Sequence, residues 1–326
     1  MDWLVLFLSL AVVSAGAEFL VRGAVSTALR AGVSPLFVGL TVVGFGTSTP
    51  ELGASLTATL RGSSDVSVGN VVGSNIFNIC AILGLTALLH PIRVHLPAVR
   101  RDLMVALAAA LVPWSALMLG GVLPRWLGGV FVGALAVYIA FAYRAGRRAH
   151  REGRDMAPAQ VVSALPMGPP AEARRASLVV NGLLMVTGLV LLTAGSRFFV
   201  GSAVGIARAI GVSELVIGLT VVSAGTSLPE LVTSLVAARR GNPDLAVGNI
   251  IGSNIFNAFG ILGICAVVKG QAVNPQVLAV DTPVLLAATL ALLPIMKSGG
   301  VISRAEGAVL LAGYAVYLAT MILRGA

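Results

Sequence analysis

The chain has 326 residues, of which 57% are hydrophobic and 11% charged, with a mean hydropathy of +0.96. Soluble domains carry about 25% charged residues, so a water-soluble globular fold is excluded. The net charge of +9 comes from 22 scattered Lys and Arg; no basic patch interleaved with aromatics supports nucleic-acid binding, and Cys80 and Cys265 share no motif for a disulfide or a thiolate metal site.

Apolar runs lie near residues 3–21, 35–60, 67–89, 103–122, 124–143, 177–197, 213–238, 246–268, 279–296 and 305–323. Each is long enough for a membrane helix of about 20 residues. The predicted fold is an all-α polytopic membrane protein with ten transmembrane helices. The first run ends in Ser14-Ala15-Gly16-Ala17, similar to a signal-peptidase site, but Asp2 gives an acidic start where a signal peptide is positive. It is read as a retained helix.

The polar stretch 144–176 carries Arg144, Arg147, Arg148, Arg151, Arg154, Arg174 and Arg175. Placed in the cytoplasm, it puts both termini outside and sorts 16 of the 22 Lys and Arg to the cytoplasmic side, as the positive-inside rule expects. It is a linker between residues 1–143 and 177–326. A cell (inner) membrane is the expected location.

Residues 32–84 align with 211–263 without a gap at an offset of 179, with 33 of 53 positions identical. Weaker matches upstream pair Gly16 with Gly195 and Phe19 with Phe198, so each unit holds five helices. An odd number forces the second copy to enter the membrane from the opposite side. Two inverted five-helix repeats are therefore expected, with ion sites at their interface near the midplane.

Glu51 and Glu230 are equivalent positions in this repeat. A carboxylate at the bilayer centre costs about 3 kcal/mol on insertion scales. No Lys or Arg lies within a turn or two of Glu51, and Arg239 and Arg240 fall at the far end of the Glu230 helix. A mobile cation is the natural partner. Each Glu follows a Pro, in Gly46-Thr47-Ser48-Thr49-Pro50-Glu51 and Gly225-Thr226-Ser227-Leu228-Pro229-Glu230. Proline deprives the carbonyl four residues earlier of its helical partner, and irregular backbone at membrane depth is tolerated where it lines a cavity or is buried. Carbonyls, hydroxyls and carboxylates are hard ligands for sodium or calcium.

The next run of each copy reads Gly69-Asn70-Val71-Val72-Gly73-Ser74-Asn75-Ile76-Phe77-Asn78 and Gly248-Asn249-Ile250-Ile251-Gly252-Ser253-Asn254-Ile255-Phe256-Asn257. Ser74 shares a helix face with Asn78, and Ser253 with Asn257. The Gly69–Gly73 and Gly248–Gly252 spacings permit close approach to the Pro-Glu segments. Glu18 and Glu214 read as interfacial, Asp65 and Asp244 as helix caps, and Trp3, Trp114 and Trp126 as interfacial anchors. His90 and His95 flank Pro91 near a helix end and read as structural.

With both motifs intact in both copies, the sequence resembles the cation/calcium exchanger superfamily, and within it the sodium/calcium exchanger branch of prokaryotic, ten-helix type. The resemblance implies a central calcium site flanked by Glu51 and Glu230 and completed by the carbonyls of Thr47 and Thr226. It implies sodium sites built from Ser48, Ser74, Ser227 and Ser253 with the carbonyls of Gly44 and Ser223, and a middle position lined by Asn78 and Asn257. Several relatives carry Asp where Asn257 stands, so potassium co-transport is disfavoured here. Calcium/proton exchangers of the superfamily place Glu where Gly73 and Gly252 stand; its absence favours sodium, although a buried Glu also carries protons.

The expected function is antiport of calcium against sodium by alternating access, with both glutamates shared between the competing ions and the first and sixth helices sliding across the core. Calcium and sodium are then substrates, the bilayer is the surrounding partner, no cofactor is needed and a monomer suffices. A calcium/proton antiporter is the alternative. A cation channel would not need duplicated sites, and an enzyme lacks its base at depth, since His90, His95 and His150 sit at helix ends or in loops.

Overall fold

The computed structural model describes residues 2–151, 178–211 and 223–325. The helices are α1 (Asp2–Ala31), α2 (Pro35–Thr47), α3 (Thr49–Leu60), α4 (Ser64–Leu89), α5 (Leu96–Ala110), α6 (Arg125–Arg151), α7 (Leu178–Ala209), α8 (Ser223–Thr226), α9 (Leu228–Arg239), α10 (Pro243–Val268), α11 (Val277–Lys297) and α12 (Arg304–Gly325). Four two-residue strands stand in the connections: β1 (Ile92–Arg93), β2 (Val122–Leu123), β3 (Gln271–Ala272) and β4 (Val301–Ile302). Most of the 144–176 linker, Glu214 and the start of the seventh run lie outside the described residues.

Among the described residues, seven helices (α1, α4, α6, α7, α10, α11 and α12) are long and apolar enough to cross a membrane. The run expected at 103–122 is a bent pair, α5 and a 3-10 turn at Pro113–Leu119 meeting at 41°. The runs near 35–60 and 213–238 are both broken within the described residues, where the Gly-Thr-Ser-x-Pro segments led the sequence to expect irregular backbone. Ser48 (φ −80°, ψ 9°) parts α2 from α3, and Ser227 (φ −88°, ψ 12°) parts α8 from α9. Pro50 and Pro229 stand in the first turn of the resuming helices, where a missing N–H costs no helical bond.

Helices α4 and α10 form the centre of the molecule, with 72% and 83% of their apolar windows buried against at most 33% for the other membrane-length helices. Each changes to a π-helical turn at its middle, Phe77–Leu83 in α4 and Phe256–Ile261 in α10. The outer helices present large apolar side chains outward, as at Phe7, Val137, Val186 and Val309. Helices α1 and α7 pack along each other where two glycines cross: a Cβ on Gly16 would lie 2.9 Å from the Gly188 carbonyl oxygen.

The strands pair between halves of the chain. β1 pairs with β4, and β2 with β3, both antiparallel. The two ribbons obey the repeat offset: Ile92–Arg93 correspond to Gln271–Ala272, and Val122–Leu123 to Val301–Ile302.

Candidate functional site: a paired-glutamate ion site

Glu51 and Glu230 each occupy the first turn of a 12-residue helix that resumes after a break. A helix N-terminus carries partial positive charge, which favours a carboxylate there. Both side chains are fully buried. Each is fixed by the other half of the chain: the Ser48 hydroxyl donates to Glu230 Oε1 at 2.9 Å, and the Ser227 hydroxyl donates to Glu51 Oε1 at 2.8 Å. Among the described residues, neither carboxylate forms an ion pair with Lys or Arg.

The central helices supply the surrounding amides. Asn78 Nδ2 donates to Asn254 Oδ1 and Asn257 Nδ2 to Asn75 Oδ1, both at 3.0 Å. Asn75 and Asn254 also donate to each other's backbone carbonyls, at 3.1 and 3.2 Å. Asn78 and Asn257 thus use Nδ2 to hold the opposite helix and keep Oδ1 without a partner. The second oxygens of Glu51 and Glu230 have no partner either. Four buried acceptors from repeat-equivalent residues thus lack donors, an unusual state for buried polar atoms.

The serines and threonines divide. Ser253 donates to the Gly44 carbonyl at 3.1 Å, joining two residues of the set expected to form the sodium positions. Ser74 is buried on α4. The Thr47 hydroxyl lies 3.0 Å from the Val43 carbonyl and 3.1 Å from Asn249 Oδ1, so it braces the break and leaves its own carbonyl as the candidate ligand. Thr226 ends α8 in the equivalent place, and Ser223 opens that short helix. Among the described residues, no three His, Cys, Asp or Glu gather into a metal cluster. The donor set is two carboxylates and neutral oxygens, which suits a hard cation held loosely enough to leave.

A cleft of about 800 Å³ runs between α3 and α7 and ends at Thr226, beside Ser227. On the equivalent side, α1 covers α9. Val232 and Thr233 are buried, whereas their repeat equivalents Gly53 and Ala54 are exposed. The molecule is thus cleft at the α3 end and covered at the α9 end, with both glutamates buried between them.

A family model described as "Sodium/calcium exchanger protein" matches residues 1–144 and 180–323. The chain belongs to this family. Among its relatives, the sodium/calcium exchanger MaX1 of Methanosarcina acetivorans is 31% identical over 98% of both chains. The inner membrane protein YrbG of Escherichia coli is 37% identical over 89% of this chain and 87% of its own. A structure of the sodium-calcium exchanger NCX_Mj superposes with a TM-score of 0.80 at 29% identity, covering 98% of this chain and 97% of that one. The protein is therefore an integral, multi-pass membrane antiporter of the sodium/calcium exchanger family, and not an enzyme.

Four side-chain readings of this exchanger's sequence need correction. Glu18 is not at a helix end: it lies inside α1, paired with Arg22 and with Arg240 beyond the end of α9. Trp114 is no free anchor, because its indole N–H donates to the Leu278 carbonyl at 2.7 Å. Asp65 and Asp244 sit in first turns of α4 and α10, but Ser63 and Asn242 hold the cap positions.

Residues that sequence reasoning passed over brace the two glutamate-bearing helices. Asn249 Nδ2 donates to the Glu230 carbonyl at 3.2 Å and to Ser234 at 2.9 Å; Asn70 makes the same pair with Glu51 and Ser55, at 3.3 and 2.9 Å. A third repeated acid, after Glu51/Glu230 and Asp65/Asp244, also exists. Asp102 accepts from the Tyr138 hydroxyl at 3.2 Å, and Asp281 from Tyr317 at 3.1 Å. Both partners obey the offset of 179, the signal that would have found them.

Proposed function

We propose that this antiporter exchanges calcium for sodium by alternating access, with Glu51 and Glu230 shared between the competing ions. The observation that carries the reading is the set of four buried, donor-less oxygens on Glu51, Glu230, Asn78 and Asn257. Two carboxylates buried without a cationic side chain are costly, and a passing cation removes that cost. Calcium takes six to eight oxygens in flexible geometry. The two carboxylates, the Thr47 and Thr226 carbonyls and the middle amides meet that demand. Sodium needs fewer oxygens: Ser48, Ser227, Ser74 and Ser253, with the Gly44 and Ser223 carbonyls, form the flanking positions. Either calcium or a set of sodium ions neutralises the same two charges, and that competition couples the fluxes.

The same reading assigns residues 1–143 and 177–326 to two inverted five-helix halves joined by a cytoplasmic 144–176 linker, with both termini outside and the α3–α7 cleft facing outward. The swapped ribbons and the reciprocal Ser–Glu bonds support it. One chain holds the whole donor set, so a monomer is the functional unit, with no resident cofactor. The name of YrbG supports an inner-membrane location.

Calcium uptake into proteoliposomes under imposed sodium, proton or potassium gradients tests the proposal. Uptake against the calcium gradient driven by sodium is expected. Uptake driven by protons alone makes the chain a calcium/proton antiporter, and uptake that only dissipates the calcium gradient makes it a channel.

A further inference from the structure

The two ends of the ion path carry opposite charge arrangements. At the covered end, Arg240, the residue that caps α9, donates from Nε to Glu18 Oε2 at 3.1 Å, and its Nη2 lies 2.6 Å from Glu18 Oε1. Arg22 holds the same carboxylate from one turn along α1. At the cleft end the repeat equivalents are Arg61, which caps α3, and Arg197 on α7. Both line the cleft, and among the described residues neither has an acid partner.

The close approaches of Gly16 to Gly188, Gly23 to Asn181 and Gly195 to Val13 pack α1 along α7, so in the alternating-access reading the two helices shift as one body across α3 and α9. A shift that closes α7 onto α3 uncovers α9 from α1. It separates Glu18 from Arg240 and brings Arg197 towards Arg61, exchanging an attraction for a repulsion. Both ion-paired side chains are about three-quarters shielded from solvent, which keeps their attraction from being fully screened.

We propose that Glu18 and Arg240 are positioning residues for the transport cycle: their ion pair latches α1 onto α9 and biases the empty exchanger towards the state open at the Arg61–Arg197 end. This rests on the alternating-access reading above, but its test reads conformation directly. Val236, on the covered face of α9, is the repeat equivalent of Thr57 in the cleft. Val236→Cys and Thr57→Cys, each labelled with a membrane-impermeant maleimide in permeabilised membranes, report the two ends, with the parent chain as blank for the buried Cys80 and Cys265.

In ion-free buffer Thr57→Cys is expected to label quickly and Val236→Cys slowly. Adding Glu18→Gln raises the Val236→Cys rate by about tenfold and lowers the Thr57→Cys rate, a coupling within the usual range for two linked sites. Glu18→Arg does so more strongly, and the double exchange Glu18→Arg with Arg240→Glu restores the parent rates. General loosening of the fold raises the Val236→Cys rate without the reciprocal fall and without rescue, and overturns the latch. Unchanged rates in a Glu18→Gln protein that still exchanges calcium for sodium also overturn it, leaving the exchange reading intact. Reciprocal, rescued shifts in a chain without sodium-driven calcium flux uphold the latch and overturn the exchange reading.

Discussion

The Ser227 hydroxyl donates to the Glu51 carboxylate at 2.8 Å, although the two residues stand 176 positions apart. Ser227 lies three residues before Glu230, yet it serves the glutamate of the other half; Ser48 returns the arrangement. Each carboxylate is thereby held through Oε1 by its opposite half and left with Oε2 to offer to an ion.

Replacing Ser227 or Ser48 with Ala therefore weakens calcium binding. A hydrogen bond to a charged group contributes about 1.5–3 kcal/mol, so the calcium concentration for half-maximal exchange rises by about tenfold or more in either variant. Initial rates of sodium-driven calcium flux, measured against calcium concentration, give the value.

Glu51→Gln and Glu230→Gln keep the acceptor for the serine and remove one negative charge. Exchange is expected to fall by about 100-fold or more in each, while the ion-free protein becomes no less stable, since an uncompensated buried charge is gone. Calcium-induced thermal stabilisation, which grows as the logarithm of ligand over Kd, disappears with it. Thermal unfolding in detergent with and without calcium checks both halves of the expectation, and a variant that retains full exchange sinks the shared-site mechanism.

Gly252→Ala tests the closeness of α10 to α2. A Cβ there would lie 2.2 Å from the Leu40 carbonyl oxygen, and that neighbour is backbone in a packed helix. Overpacking of this kind costs about 3 kcal/mol. The yield of monodisperse protein and its melting temperature are expected to drop sharply.

Asn249→Ala strips partners from the Glu230 carbonyl, Ser234 and the Thr47 hydroxyl at once. Leaving buried polar groups unsatisfied costs about 1–3 kcal/mol. Asn70→Ala has a smaller effect, because Asn70 is only partly buried whereas Asn249 is fully buried. Chemical or thermal denaturation of the two variants side by side ranks them.

The site's charged centre was legible because Glu51 and Glu230 recur in register inside apolar runs, and because Pro50 and Pro229 mark the breaks that structure places at Ser48 and Ser227. Asn70, Asn75, Asn249 and Asn254 stood in the same motif without an assignable task. Their bonds run between helices, and the spacing of a single helix does not encode its neighbour. The Asp102–Tyr138 and Asp281–Tyr317 pairs were readable in principle through the offset of 179, but they lie beyond the ungapped alignment. Glu18 and Arg240 were not readable as a pair: 222 residues separate them, and although Arg240 repeats Arg61, the equivalent of Glu18 is Arg197, so the pair does not recur. Two-residue strands such as β1 and β3 leave no periodicity at all.

Those strands carry a consequence for how the molecule is made. β1 finds its partner only at Val301–Ile302, and β2 only at Gln271–Ala272. A ribosome that has delivered the first 143 residues has made connections whose ribbon partners, at 271–272 and 301–302, do not yet exist. The early half must wait in the bilayer, its backbone edges unsealed, for the late half to stitch it shut.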